Sequence, residues 1–246
     1  YPFGQGFGFG VPSLNYQLDM LGDDVINTWV AIYMGVYRWT DHRWSKEGKR
    51  INYKAWDCYY TLIQQANTAI YSYKNYLSEE ERLQPAAKYA YGEALGLRAY
   101  AYHCLIQLFA KRYDASTASQ DLGVILRTDA NYATQYDPAP RATVAAVYDQ
   151  IEADLKASMD ELKPPTEQRK TRNHLTYSVV AGIAARVAMC KGDYAQAKTY
   201  AQAAIDDQTH KLDGASLTNG FNDYTAPEWM WGYRQAEDQN YFFGSF

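Results

Sequence analysis

From about Trp56 onward the apolar residues fall into helical register. Trp56, Tyr59, Tyr60, Ile63, Asn67, Ile70 and Tyr71 recur at three- and four-residue spacing, one stripe of an amphipathic helix. Ser78 followed by Glu81 has capping-box spacing and is expected to open the next helix. That helix turns Tyr89, Ala90, Glu93, Ala94, Leu97, Ala101, Cys104, Leu105 and Leu108 inward. Its small residues Gly92, Ala94, Gly96, Ala99 and Ala101 let a neighbouring helix come close. Thr143 caps a third helix, with Val144, Val147, Tyr148, Ile151, Leu155, Met159 and Leu162 facing inward, and Lys163-Pro164-Pro165 stops it. Leu175 to Cys190 reads as a fourth, alanine-rich helix. Lys191-Gly192-Asp193-Tyr194 then turns into a fifth, Tyr194 to Asp207.

Elsewhere the period is lost. Tyr1 to Pro12 mixes glycine and aromatics without order, and Tyr37 to Asn52 and Asp114 to Ala142 are connections, the latter with turn chemistry at Asp137-Pro138 and Pro140. Asp23 to Met34 fits a short helix or an extended segment equally. Trp229-Met230-Trp231-Gly232-Tyr233 reads as a short strand. After Gly192, residues Tyr194, Ala197, Ala201, Ala204 and Ile205 share one face. That arrangement resembles the second helix of a tetratricopeptide repeat, where small residues and one ring let antiparallel helices interlock. The expected fold class is all-α: tetratricopeptide-like helical hairpins with long irregular loops and a short C-terminal strand segment.

Composition narrows the function. A chain of 246 residues buries a full core, and a net charge of −4 gives no electrostatic reason to hold nucleic acid. With 24 Tyr against 8 Phe and 6 Trp, the aromatic content favours rings that lie half buried with a wet hydroxyl. Cys58, Cys104 and Cys190 form no CxxC pair and read as three small reduced core residues. The sequence shows no signal peptide, lipidation cysteine or 18-residue apolar run, and its start at Tyr1 fits a processed or trimmed piece.

No reactive constellation emerges. His42, His103, His174 and His210 lack the four-residue spacing of a helical metal pair, and His103 reads as a hydrogen-bonded structural residue. Nucleophile elbow, Walker loop and dinucleotide fingerprint are all missing. Asp23-Asp24 point to opposite sides if extended, whereas glycoside hydrolysis needs two carboxylates converging on one bond. Glu93 and Arg98 lie partly within a helix interface and therefore require partners there. The expectation is no enzyme, no cofactor and no metal.

Tyr91 to Phe109, YGEALGLRAYAYHCLIQLF, resembles the EAxxLRAxxYxxLxxxF signature of the SusD/RagB family, nutrient-binding lipoproteins of the Bacteroidetes outer membrane. Further segments agree in order: Trp56 to Asn67, Leu122-Gly123-Val124, Arg141 to Leu155, Ala181 to Tyr194, and Trp231-Gly232-Tyr233. Ile125 stands where the family has Pro, and Ala110 where it has Gly after the Phe; both bear on loop shape. Members are typically about twice this length, so the chain resembles a fragment lacking the lipidated start and much of the C-terminal half.

The resemblance implies non-catalytic cell-surface capture of oligosaccharides for delivery to a SusC-like TonB-dependent transporter, by a protein lipid-anchored in the outer membrane. In the RagB branch the ligand is a peptide, and an intracellular tetratricopeptide-type adaptor is the remaining alternative. The chain is then one domain over 1–246: a loop-rich ligand-side segment 1–55, helical hairpins 56–207, and 208–246 as the start of the irregular C-terminal part. Trp56, Asn67, Glu93, Arg98, Tyr148 and Asp154 are expected as scaffold, with Asn67, Glu93 and Arg98 hydrogen-bonded between helices. Within Tyr37 to Trp44, no period accounts for Trp39 and Trp44 together as core. One reading has them plug the junction with the first long helix. The other makes them sugar-stacking platforms, bordered by Asp41, His42 and Arg43.

Overall fold

The structure, a computed structural model, describes residues 14–15, 18–22, 26, 38, 50–130, 134, 136–163, 172–206, 214 and 226–232. Among them run six helices: α1 (Arg50–Asn75), α2 (Glu79–Leu83), α3 (Pro85–Phe109), α4 (Val144–Leu162), α5 (Tyr177–Lys191) and α6 (Tyr194–Asp206). The chain divides into two compact units, residues 1–61 with 235–246, and residues 62–234. In the first, Leu14, Met20, Ala55 and Tyr59 are buried, and the rings of Trp56 and Tyr60 meet with centroids 4.6 Å apart. α1 begins at Arg50, ahead of the apolar stripe expected from Trp56.

The second unit holds the hairpins. Ser78 and Glu81 form the reciprocal cap: Glu81 N–H donates to Ser78 Oγ at 3.2 Å, and Ser78 N–H to the Glu81 carboxylate at 2.7 Å. The helix so opened is only the five-residue α2, not the long one expected there. Gln84 turns extended (ψ 136°) because Pro85 disfavours helical backbone before it, and Pro85 then serves as the first residue of α3.

α3 and α4 run antiparallel, since Gly92 meets Glu161 and Leu162 while Gly96 meets Ser158. The glycines set the spacing: a Cβ on Gly96 would lie 2.8 Å from Leu175 Cδ1 and 2.9 Å from Ser158 Oγ. Ser158 uses the same gap to donate to the Gly92 carbonyl at 2.6 Å. Ile70 of α1 joins Ala94 and Leu95 in one core cluster, flanked by Tyr91 and Ala157. Ala90, expected inside, is exposed. Thr143 Oγ1 accepts from Ala146 N–H at the start of α4, and Thr176 does the same for Val179 in α5.

Gly192, at φ +78°, closes α5 and passes directly into α6. α6 buries Ala197, whereas Tyr194 and Ile205, expected on its inner face, are 68% and 66% exposed. Among the described residues α6 packs on α5, and a helix with one neighbour hides only a narrow strip. The long connection before α4 is tacked back by an antiparallel bridge between Leu122 and Thr143. Arg141 reinforces it, donating to the carbonyls of Gly123, Leu122 and Phe109. Residues 226–232 form turn and irregular backbone where a strand was expected. Their pairing is to a side: Gly232 N–H donates to the Arg172 carbonyl at 2.9 Å, and the Arg172 guanidinium to Ala226.

Candidate functional site

At the centre of the second unit is a polar cluster that the helical register alone brings together. Arg98 points from α3 toward Asp154 of α4, and the two form a bidentate pair with both bonds at 2.7 Å. A third guanidinium bond, from Nη1 at 2.8 Å, reaches Asn67 Oδ1 on α1. Gln150, one turn before Asp154, donates at 2.9 Å to Oδ1, the oxygen that also accepts from Arg98 Nη2. Asn67, Arg98 and Asp154 are 3%, 5% and 4% exposed, so none of these groups has bulk water as an alternative partner.

The cluster also grips the connection after α3. The Arg127 carbonyl accepts from Asn67 Nδ2 at 2.8 Å and from the Tyr102 hydroxyl at 2.7 Å, while Arg127 N–H donates back to Tyr102. Arg98 adds a longer bond to the Thr128 carbonyl at 3.3 Å. Farther along, the Arg127 guanidinium donates to the Asp137 carbonyl, and Gln64 Nε2 of α1 donates to the Tyr136 hydroxyl at 3.0 Å. Tyr102 and Gln150 were absent from the sequence expectation. Each lies four residues from a charged cluster member, a spacing that places it on the same helix face.

The remaining scaffold candidates go elsewhere. Glu93 accepts from Leu175 N–H at 3.0 Å and meets His174 Nδ1 at 2.9 Å, so its partners come from the segment before α5 rather than from a helix. Tyr148 is buried edge-on to Tyr113, and burial pushes its hydroxyl up to about 12. Trp56 is half-buried in the first unit. The ligand candidates Trp39, Asp41, His42, Arg43 and Trp44 lie outside the described residues.

Two expectations fail. His103 is buried but, among the described residues, its Nδ1 has no hydrogen-bond partner, so it is not the satisfied histidine expected. Desolvation first, then the Arg186 cation on α5, lowers its pKa to about 4. Cys58, Cys104 and Cys190 are half-buried rather than core, and none is in a disulfide. Burial raises the Cys58 and Cys190 thiols, which keeps them protonated and poor ligands. Among the described residues no group of three or more His, Cys, Asp or Glu converges as a metal site, and no helix is long and apolar enough to cross a membrane.

Antiparallel helices, a buried polar hub and long tacked-down connections define a helical-hairpin scaffold. Residues 13–189 match the SusD-like family described as starch-binding and associating with the outer membrane, and the chain belongs to that family. No curated protein matches it in sequence. A SusD-like carbohydrate-binding protein from Bacteroides vulgatus is 22% identical with a TM-score of 0.67, covering 94% of this chain and 52% of its own. A SusD superfamily protein from Bacteroides fragilis is 24% identical, TM-score 0.70, covering 92% and 49%. A laminarin-binding SusD-like protein is 18% identical, TM-score 0.67, covering 90% and 46%. The chain thus spans about half the length of these solved structures.

Proposed function

We propose that the chain binds oligosaccharides without transforming them, as the helical part of a cell-surface protein that delivers glycans to a SusC-like TonB-dependent outer-membrane transporter. The observation that carries this reading is the match of residues 13–189 to a family described by starch binding and outer-membrane association. The laminarin-binding relative of the same fold favours a sugar over a peptide ligand. Division of labour supports it as well: helices fixed by buried hydrogen bonds hold, and the loops they carry recognise. In this proposal residues 1–55 are the ligand-side segment of a single domain, with Trp39 and Trp44 as stacking rings and Asp41, His42 and Arg43 bonding hydroxyls.

Calorimetric titration with malto-, laminari- and xylogluco-oligosaccharides, and with peptides as the contrasting class, tests it. Binding to at least one of the sugars and none of the peptides is expected. Trp39→Ala and Trp44→Ala should each weaken that binding about fivefold, the worth of one stacked ring, with unchanged far-ultraviolet circular dichroism. Peptide binding alone would transfer the chain to the RagB-like reading.

A further inference from the structure

Tyr136 is 73% exposed, yet its position is fixed at both ends of the side chain. At the tip, the hydroxyl accepts from Gln64 Nε2 on α1. At the base, Asp137 N–H closes a turn onto the Thr134 carbonyl at 3.1 Å, Pro138 follows, and the Arg127 guanidinium clasps the Asp137 carbonyl. Arg127 is itself held by Asn67 and Tyr102, which ties the turn to the buried hub. An exposed ring usually loses rotamer freedom when a ligand stacks on it. This one is already restrained by the hydrogen bond at its tip, so stacking carries less ordering cost. Such an arrangement contributes little to the core, because most of the ring remains in water.

We propose that Tyr136 is a preorganised stacking platform for a sugar ring. A pyranose offers an apolar C–H face to the phenol ring and a hydroxyl rim to groups beside it. The neighbouring surface has such groups: the Gln64 carboxamide at the ring's tip and the exposed Asp137 next in sequence. The carboxylate and the chain's net charge of −4 disfavour phosphorylated or acidic ligands, and a neutral oligosaccharide is the class that fits. The proposal rests on the glycan-binding reading above and adds a residue to it.

Titrating the 246-residue chain with the same three oligosaccharides tests it. Tyr136→Ala should weaken binding about fivefold. Tyr136→Phe and Gln64→Leu keep the ring but release its anchor, and should weaken binding about twofold. Melting temperatures should stay at the parent value in all three. If Tyr136→Ala binds like the parent while Trp39→Ala or Trp44→Ala binds more weakly, glycan binding stands and the platform is rejected. A parent chain that takes up none of the sugars overturns both. Should Tyr136→Ala unfold, parent-like affinity in both Tyr136→Phe and Gln64→Leu rejects the platform.

Discussion

Arg98 shows how much one buried side chain can commit. Its guanidinium bonds Asp154 twice and Asn67 once, so Arg98→Ala leaves a carboxylate and an amide buried without their partner. A loss of about 3–5 kcal/mol is expected, read as a lowered urea midpoint. Arg98→Met with Asp154→Leu removes both charges together and should recover most of it. His103 makes the opposite case, a polar group left neutral. Its ring titrates at 6.5 unfolded and at about 4 folded, so between those values the unfolded chain binds the extra proton. Stability from this group is therefore full above pH 6.5 and falls as pH drops toward 4, by up to about 3 kcal/mol. Urea midpoints at pH 7 and pH 4.5 should differ less in His103→Leu than in the parent. Glu93, Arg98 and His103 all read from the sequence as inward-facing polar residues. Whether each finds a partner depends on what the neighbouring helix presents, and one strand of text does not contain that.

Between helices, contact distance decides. Gly96→Ala drives a Cβ to 2.8 Å from Leu175 and should cost about 1–3 kcal/mol. Gly182, inside α5, is its counterpart: among the described residues nothing lies within 4 Å of where a Cβ would sit. Gly182→Ala should stabilise by about 0.5–1 kcal/mol, since the helix gains propensity without a clash. Thermal melts of the two variants should shift in opposite directions. The helices themselves were legible because caps and stops are local chemistry: Thr143 and Gly192 act within three residues of where they stand, whereas the Thr176 cap went unread and the helix start was placed at Leu175. The misreadings came where two local signals competed or where a face had no fixed neighbour. Pro85 overrode the continuation promised by Ser78, and among the described residues no second helix covers Tyr194 and Ile205.

For the whole molecule, the family was legible because its motifs recur in order along the chain, and order is kept when pairwise identity falls near 20%. The ligand candidates between Tyr37 and Trp44 lie outside the described residues, and their stretch of sequence has no periodicity to betray which rings turn outward. If the proposed delivery role is right, a full-length form expressed in its own cells should sediment with the outer membrane and co-purify with a TonB-dependent barrel; recovery in the cytosolic fraction alone would reject it. The hub of Asn67, Arg98 and Asp154 has a consequence for descent. Its members come from α1, α3 and α4, and Asn67 also clasps the Arg127 carbonyl, so they lie far apart in the gene yet depend on one another. A lineage that loses one of them passes through a form with a stranded charge or amide before the others can follow. The apolar alternative is within reach energetically but lies across a valley, and the triad should persist while the loops around it drift.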